Sequence, residues 1–211
     1  MEEAKQLKTG TTTVALICKD GIVLAADKRV TAGYQIQNKG FEKIYSISDS
    51  MAVTVAGSVS DIQLFTKYIK AEIKLKGLRT QREVTVKEAV NLLAMFLYNG
   101  IRMQGSIAHF IVGGKDSSGF HAYDLGPDGS IMPIEDYMAS GSGSVYAIGT
   151  LEAAYKPNMA LDEAVKVAVK AINTAVQRDI ASGDGVDVLT ISKDGLKKAY
   201  SQILTNKLEV Q

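Results

Sequence analysis

Between residues 11 and 27 the chain carries two runs, TTTVALIC and GIVLAAD, in which β-branched and apolar residues follow one another almost without a polar break. The tripeptide Lys19–Asp20–Gly21 between them carries an Asp-Gly turn signal, so the pattern predicts a β-hairpin. FEKIYSI and SMAVTVAG predict two further short strands. The period then changes. Ile62, Phe65, Ile69 and Ile73 recur at helical spacing and predict a helix from Ser58 to Lys76, with Ser60 and Gln63 as a capping box and Gly77 as its stop. A second helix is predicted from TVKE onward. There Thr85 and Glu88 have capping-box spacing, and Val86, Val90, Leu93, Leu97 and Ile101 fall on one face.

Strand patterns return with AHFIVGG and GFHAYDL, a second predicted hairpin, then a turn at Asp128–Gly129 and a short strand near EDYMAS. Two helices are predicted next, from Ser144 to Tyr155 and from Leu161 to Ala181. The second carries Leu161, Val165, Ala168, Ile172 and Val176 on one side. GVDVLTIS, a Lys-Asp-Gly turn and LKKAYS close the pattern as a third hairpin. Runs of strands separated by pairs of helices, without strict alternation, predict an α+β layered fold. Two sheets, each with a helix pair on its outer side, would bury every apolar face found. No Pro/Gly/Ser-rich linker or low-complexity stretch divides the chain, so a single domain is expected.

Composition narrows the function. The chain has 211 residues, enough for one domain with a substantial core, and is 46% hydrophobic and 22% charged. A formal net charge of +1 argues against nucleic acid or an anionic membrane as main partner. The apolar runs are too short to span a bilayer. MEEAKQLKTG lacks the apolar core of a secretory leader, and the single cysteine, Cys18, permits no internal disulfide. Both features predict a cytoplasmic protein, with Cys18 as a small buried core residue.

Metal and nucleotide chemistry find little support. With two histidines, His109 and His121, and Cys18 remote from both, no metal-ligand spacing is present and structural roles are expected for all three. IVGGKDSSG and SGSGS are glycine-rich but lack the Lys-plus-hydroxyl ending of a phosphate loop, and no cofactor is expected. The threonines Thr11–Thr13 are ordinary strand residues by composition. Their setting is less ordinary, because Gly10 and a polar segment precede them. Cleavage of Gly10–Thr11 would give Thr11 a free α-amine, with an ordinary pKa of about 7.7–8.0, beside its own hydroxyl. That pair is the activated nucleophile of N-terminal-threonine catalysis.

KTGTTTV, AADKRVT, FEKIY, VAGSVSD, ASGSGSVYAIG and QRDIASGDGVDV, in this order and spacing, resemble the proteasome β-subunit family, archaeal type, from about residue 9 to 200. The resemblance implies a four-layer αββα sandwich and a threonine endopeptidase that works without metal or cofactor. It implies Thr11 as nucleophile, Asp27 and Lys43 as an acid-lysine pair beside it, and Gly57 as the oxyanion donor. Ser142, Asp179 and Ser182 would surround the Thr11 amine. Residues 1–10 would be a propeptide removed by self-cleavage at Gly10–Thr11, leaving 11–211 as the catalytic domain. Val30, Phe41, Tyr45, Val55 and Val59 would contact substrate and favour cleavage after hydrophobic residues. The implied partners are proteasome α subunits and other β subunits in seven-membered rings, a regulatory ATPase acting through the α ring, and unfolded polypeptides. Ala15 departs from the family pattern, in which glycine often follows TTTV. The rival reading is an unprocessed structural β subunit, but inactive subunits usually lose the threonine or the lysine, and here Thr11, Asp27 and Lys43 are all present.

Overall fold

A computed structural model describes residues 10–204. The predicted strand-helix order holds, with additions. β1 (Thr13–Cys18) and β2 (Gly21–Asp27) form the first hairpin, closed by a two-residue turn at Lys19–Asp20 with Cys18 opposite Gly21. A small hairpin, β3 (Val30–Ala32) and β4 (Gln35–Asn38), follows. It was not evident in the sequence because its strands are short and β4 is fully exposed, so no apolar alternation marks it. Then come β5 (Ile44–Ser46), β6 (Met51–Gly57), α1 (Val59–Thr80), α2 (Val86–Gln104), β7 (Ala108–Asp116) and β8 (Gly119–Leu125). The remainder is β9 (Ile131–Ile134), β10 (Tyr137–Ser140), α3 (Ser144–Ala154), α4 (Leu161–Val176), β11 (Gly185–Ser192) and β12 (Gly195–Ile203).

Two five-stranded sheets, ordered β10-β1-β2-β11-β12 and β5-β6-β7-β8-β9 with every pairing antiparallel, lie face to face. Strand alternation shows why the central runs are apolar throughout. On β1, Val14 and Leu16 face α3 and α4, whereas Ala15 and Ile17 face the other sheet. On β6, Val53 and Val55 face α1 and α2, whereas Ala52 turns inward. Both sides of each strand are buried, so no polar alternation is possible. The result is the expected α+β sandwich of helices, sheet, sheet and helices. Ala15, fully buried between the sheets, is accommodated there.

Three helix boundaries differ from expectation. The residue capping α1 is Ser58, with no side-chain cap, and Ser60 lies inside the first turn, so Ser60 and Gln63 form no capping box. α1 also runs through Gly77 to Thr80, because a lone glycine lowers helix propensity by only about 1 kcal/mol. α4 ends at Val176, five residues early: Asp179 Oδ1 accepts the Ala181 N–H at 3.2 Å, and this local turn competes with the helical ladder. At α2 the Thr85–Glu88 capping box forms as expected.

Antiparallel topology brings one set of strand ends together. The start of β1, the end of β2 and the start of β11 meet, with Thr13 opposite Ala26 and Asp27 opposite Val186. The end of β10 lies beside them, with Ser140 opposite Thr13. On the other sheet, the end of β6 meets the start of β7, with Gly57 opposite Ala108. Among the described residues, no helix is long and apolar enough to cross a membrane.

Candidate active site

At this end of the sandwich Thr11 is buried, 6% exposed, with its Oγ1 donating to the carbonyl of Gly10 at 2.7 Å. The Gly10 N–H in turn donates to Thr31 Oγ1 at 3.2 Å. Thr11 N–H donates to Ser142 Oγ at 3.2 Å, and Ser142 donates to Asp179 Oδ2 at 2.6 Å. Ser182 Oγ also donates to Asp179 Oδ2, at 2.6 Å, and Thr12 Oγ1 lies 2.6 Å from Ser182 Oγ. The expected trio of Ser142, Asp179 and Ser182 therefore gathers on one carboxylate around Thr11. Gly141 permits this approach: its φ is +90°, and a Cβ there would lie 2.0 Å from the Thr11 carbonyl oxygen.

Asp27 sits behind the threonines, 1% exposed. Its Oδ1 accepts Thr12 N–H at 2.9 Å and the Lys43 ammonium at 2.7 Å; its Oδ2 accepts Arg29 N–H at 3.0 Å and Gly183 N–H at 2.9 Å. A carboxylate with four donors is fixed in position and well solvated by the protein itself. Lys43 is 2% exposed, and burial pushes its ammonium below the ordinary lysine value, against the opposing pull of Asp27. A nearby clamp holds the 180–184 loop: Arg29 donates to Asp184 Oδ2 at 2.7 Å and to the Ile180 carbonyl at 3.0 Å.

Thr11, Lys43 and Gly57 share a narrow crevice whose apolar walls are Val30, Phe41, Val55, Val59 and Ile62. Gly57 has φ +119°, and a side chain there would drive into the Ile107 carbonyl at 2.3 Å. The crevice joins an open cleft of about 680 Å³ lined also by Thr31, Gln37, Ser58, Asp61, His109 and Ser142. Four of the five residues assigned to substrate contact thus flank Thr11. Tyr45 does not join them: it lines a separate cavity with Glu42, Lys70 and Lys198, and its hydroxyl donates to the Glu42 carbonyl.

Sequence reasoning gave Thr12 and His109 structural roles only and did not single out Thr31. Thr12 and Thr31 carry no signal beyond their nearness to Thr11 and Asp27. His109 had one, since period-2 alternation in AHFIVGG places it on the same face as Ile111, toward the other sheet. Among the described residues no cluster has the composition of a metal site. Cys18 is buried and its thiol is pushed up to about 12, first by burial and then by Asp20.

Chemically, the crevice places a hydroxyl beside the carbonyl of the peptide bond before it, with buried Lys43 and the close-packed backbone of Gly57 as further walls. Comparison with known proteins gives a consistent result. A model described as "Proteasome subunit" matches residues 7–191. A proteasome subunit beta from Archaeoglobus fulgidus is 44% identical over 190 residues, covering 90% of this chain and 89% of the relative. One from Ferroglobus placidus is 42% identical, covering 95% and 93%. One from Methanopyrus kandleri is 41% identical over 210 residues, covering 99% and 98%.

Proposed function

The chain belongs to the proteasome subunit family, and from that premise we propose that it is a catalytic β subunit, a threonine endopeptidase made as a zymogen and activated by its own cut at Gly10–Thr11. Residues 1–10, nine of which lie outside the described residues, are the propeptide in this reading, and residues 11–211 are the mature domain. The observation that carries it is the Thr11 hydroxyl, 2.7 Å from the Gly10 carbonyl oxygen in a crevice shared with buried Lys43.

Self-cleavage proceeds by attack of Thr11 Oγ1 on the Gly10 carbonyl carbon. Lys43, when deprotonated, takes the hydroxyl proton, the C–N bond breaks, and Lys43 hands that proton to the freed nitrogen. Water then hydrolyses the Gly10 ester and releases the propeptide carboxylate. The new α-amine inherits the place of the Thr11 amide, beside Ser142 and the Asp179 carboxylate. Substrate cleavage repeats the same steps on an incoming peptide, with the α-amine activating the deacylating water. Lys43 is suited to accept a proton because burial disfavours its charge, and Asp27 fixes where it points. Gly57 N–H serves as oxyanion donor, a contact typically worth about 2.7–4 kcal/mol.

Val30, Phe41, Val55 and Val59 give the specificity pocket an apolar wall, so cleavage follows hydrophobic residues. The subunit works in the cytoplasm, in seven-membered β rings stacked against α rings, on unfolded polypeptides admitted through the α ring by an ATPase. The test is to co-express the chain with an α subunit and assay fluorogenic peptides bearing apolar, basic or acidic residues before the cut. Hydrolysis of the apolar peptide that vanishes in Thr11→Ala supports the reading. An inactive assembled particle makes this a structural subunit, and preferred cleavage after charged residues refutes the pocket assignment.

A further inference from the structure

His109 takes no part in the steps above, yet its surroundings differ sharply from those of His121. His121 sits near the far turn of the β7–β8 hairpin, its Nε2 beside Ser118 Oγ at 2.8 Å. His109 lines the cleft that contains Thr11. Its Nε2 lies 2.7 Å from Asp124 Oδ1 on β8, and its Nδ1 lies 2.9 Å from Ser140 Oγ on β10.

The Ser140 contact crosses between the two sheets, whereas Asp124 sits on the strand next to His109 in its own sheet. On β7, Ala108, Phe110 and Val112 pack toward α1 and α2, while Ile111 packs against the other sheet. His109 shares the Ile111 side. On β10, Ala139 packs toward α3 and α4, while Met138 faces the inter-sheet layer, and Ser140 shares the Met138 side. A polar chain therefore spans the rim of a layer that is otherwise apolar. Such groups are costly there unless each finds a partner, and here each does. The directions follow from the acceptor at one end. In the neutral imidazole Asp124 takes the Nε2–H, which leaves Nδ1 to accept the Ser140 hydroxyl proton.

Serine, histidine and aspartate in this order invite comparison with a hydrolytic triad. Ser140, however, is 4% exposed and, like Asp124, does not line the cleft, so no substrate carbonyl reaches it. What Ser140 does reach is the Thr11 site. It lies opposite Thr13 on β1, and two residues later Ser142 receives the Thr11 N–H. The single residue between them, Gly141, passes so close to the Thr11 carbonyl that a Cβ there would lie 2.0 Å from its oxygen.

We propose that His109 is a positioning residue: held by Asp124, it clasps Ser140 across the sheets and so fixes the Gly141–Ser142 turn against the Thr11 amine. The inference rests on the proposed threonine chemistry, because the clasp acts only through that amine.

The test uses particles assembled with an α subunit and a short apolar fluorogenic peptide, comparing Ser140→Ala, Asp124→Ala and Asp124→Asn. Both alanine variants are expected to lower kcat about 10-fold, the equivalent of about 1.4 kcal/mol, with KM within about 2-fold of wild type. Asp124→Asn keeps an acceptor oxygen for Nε2–H and is expected to recover most of that loss. Unchanged kcat in the alanine variants, with only the melting temperature lowered, overturns the proposal. So does an Asn variant as slow as the alanine one. If Ser140→Ala does not assemble, the two Asp124 variants decide alone. Wild-type particles without peptidase activity would instead refute the threonine chemistry itself, so the two failures are distinguishable.

Discussion

Replacing Gly10 by alanine perturbs self-cleavage at its tightest point. An ideal Cβ on Gly10 would lie 1.8 Å from Ala181 Cβ, 2.9 Å from Ala181 Cα and 3.0 Å from Ser142 Oγ. Carbon atoms in comfortable contact sit about 3.5–4.0 Å apart, so Gly10 and the 180–182 segment must separate by about 2 Å. That movement breaks the 2.7 Å contact between Thr11 Oγ1 and the Gly10 carbonyl, or drags Ser142 away from Thr11 N–H. A misplacement of about 1 Å can cost about 10²-fold in rate, so Gly10→Ala should process at least about 100-fold more slowly than wild type. The assay is a time course of intact mass for the chain co-expressed with an α subunit, reading loss of residues 1–10. Ala181→Gly removes the nearest atom and should restore part of the rate in the double variant, because the remaining contacts are tight but not impossible. Wild-type processing by Gly10→Ala in assembled particles would refute the steric reasoning.

Asp27→Ala would leave Lys43, Thr12 N–H, Arg29 N–H and Gly183 N–H without their shared acceptor, at a cost of about 3–5 kcal/mol and a fall in Tm on the order of 10 °C, measurable by calorimetry. Glu88→Ala should cost about 1 kcal/mol at pH 7 through loss of the α2 capping box. The Glu88 carboxyl is held below its ordinary 4.5 by Arg82, then by Thr85 N–H and Lys76, so its contribution is full above that value and disappears as pH falls through the folded one. The Tm gap between wild type and Glu88→Ala should therefore narrow on acidification; a constant gap between pH 7 and pH 3 would count against the assignment. Cys18, with its thiol near 12, should resist a thiol reagent at pH 8 in the native protein and react fully once unfolded; rapid native labelling would contradict its burial.

The sheets and helices were legible wherever burial imposed a period. β1 and β2 announced themselves because both faces are covered, and α2 because Thr85 and Glu88 close its first turn. β4, Gln35–Asn38, was silent because it is exposed throughout, and β9, Ile131–Ile134, because it is four residues long with Pro133 inside it. The expected α4 was too long because residues past Val176 leave the helix, where Asp179 accepts from Ser142 and Ser182. Family motifs pointed to Thr11, Asp27, Lys43 and Gly57, residues that the fold brings together and that no periodicity could have singled out. Tyr45 lies apart from that group: it packs on the core under α1 and α2 and lines a cavity that Thr11 does not. His109 shows the converse. Its partners, 15 and 31 residues away in sequence, are brought to it by sheet pairing and sandwich packing.

Mass spectrometry of the chain recovered from assembled, peptide-hydrolysing particles bears most directly on the threonine chemistry, before and after reaction with an electrophilic peptide. Cleavage at Gly10–Thr11 predicts a chain that begins at Thr11, with the adduct mapped to that residue. A chain that keeps residues 1–10 in active particles, or an adduct placed elsewhere, would contradict it.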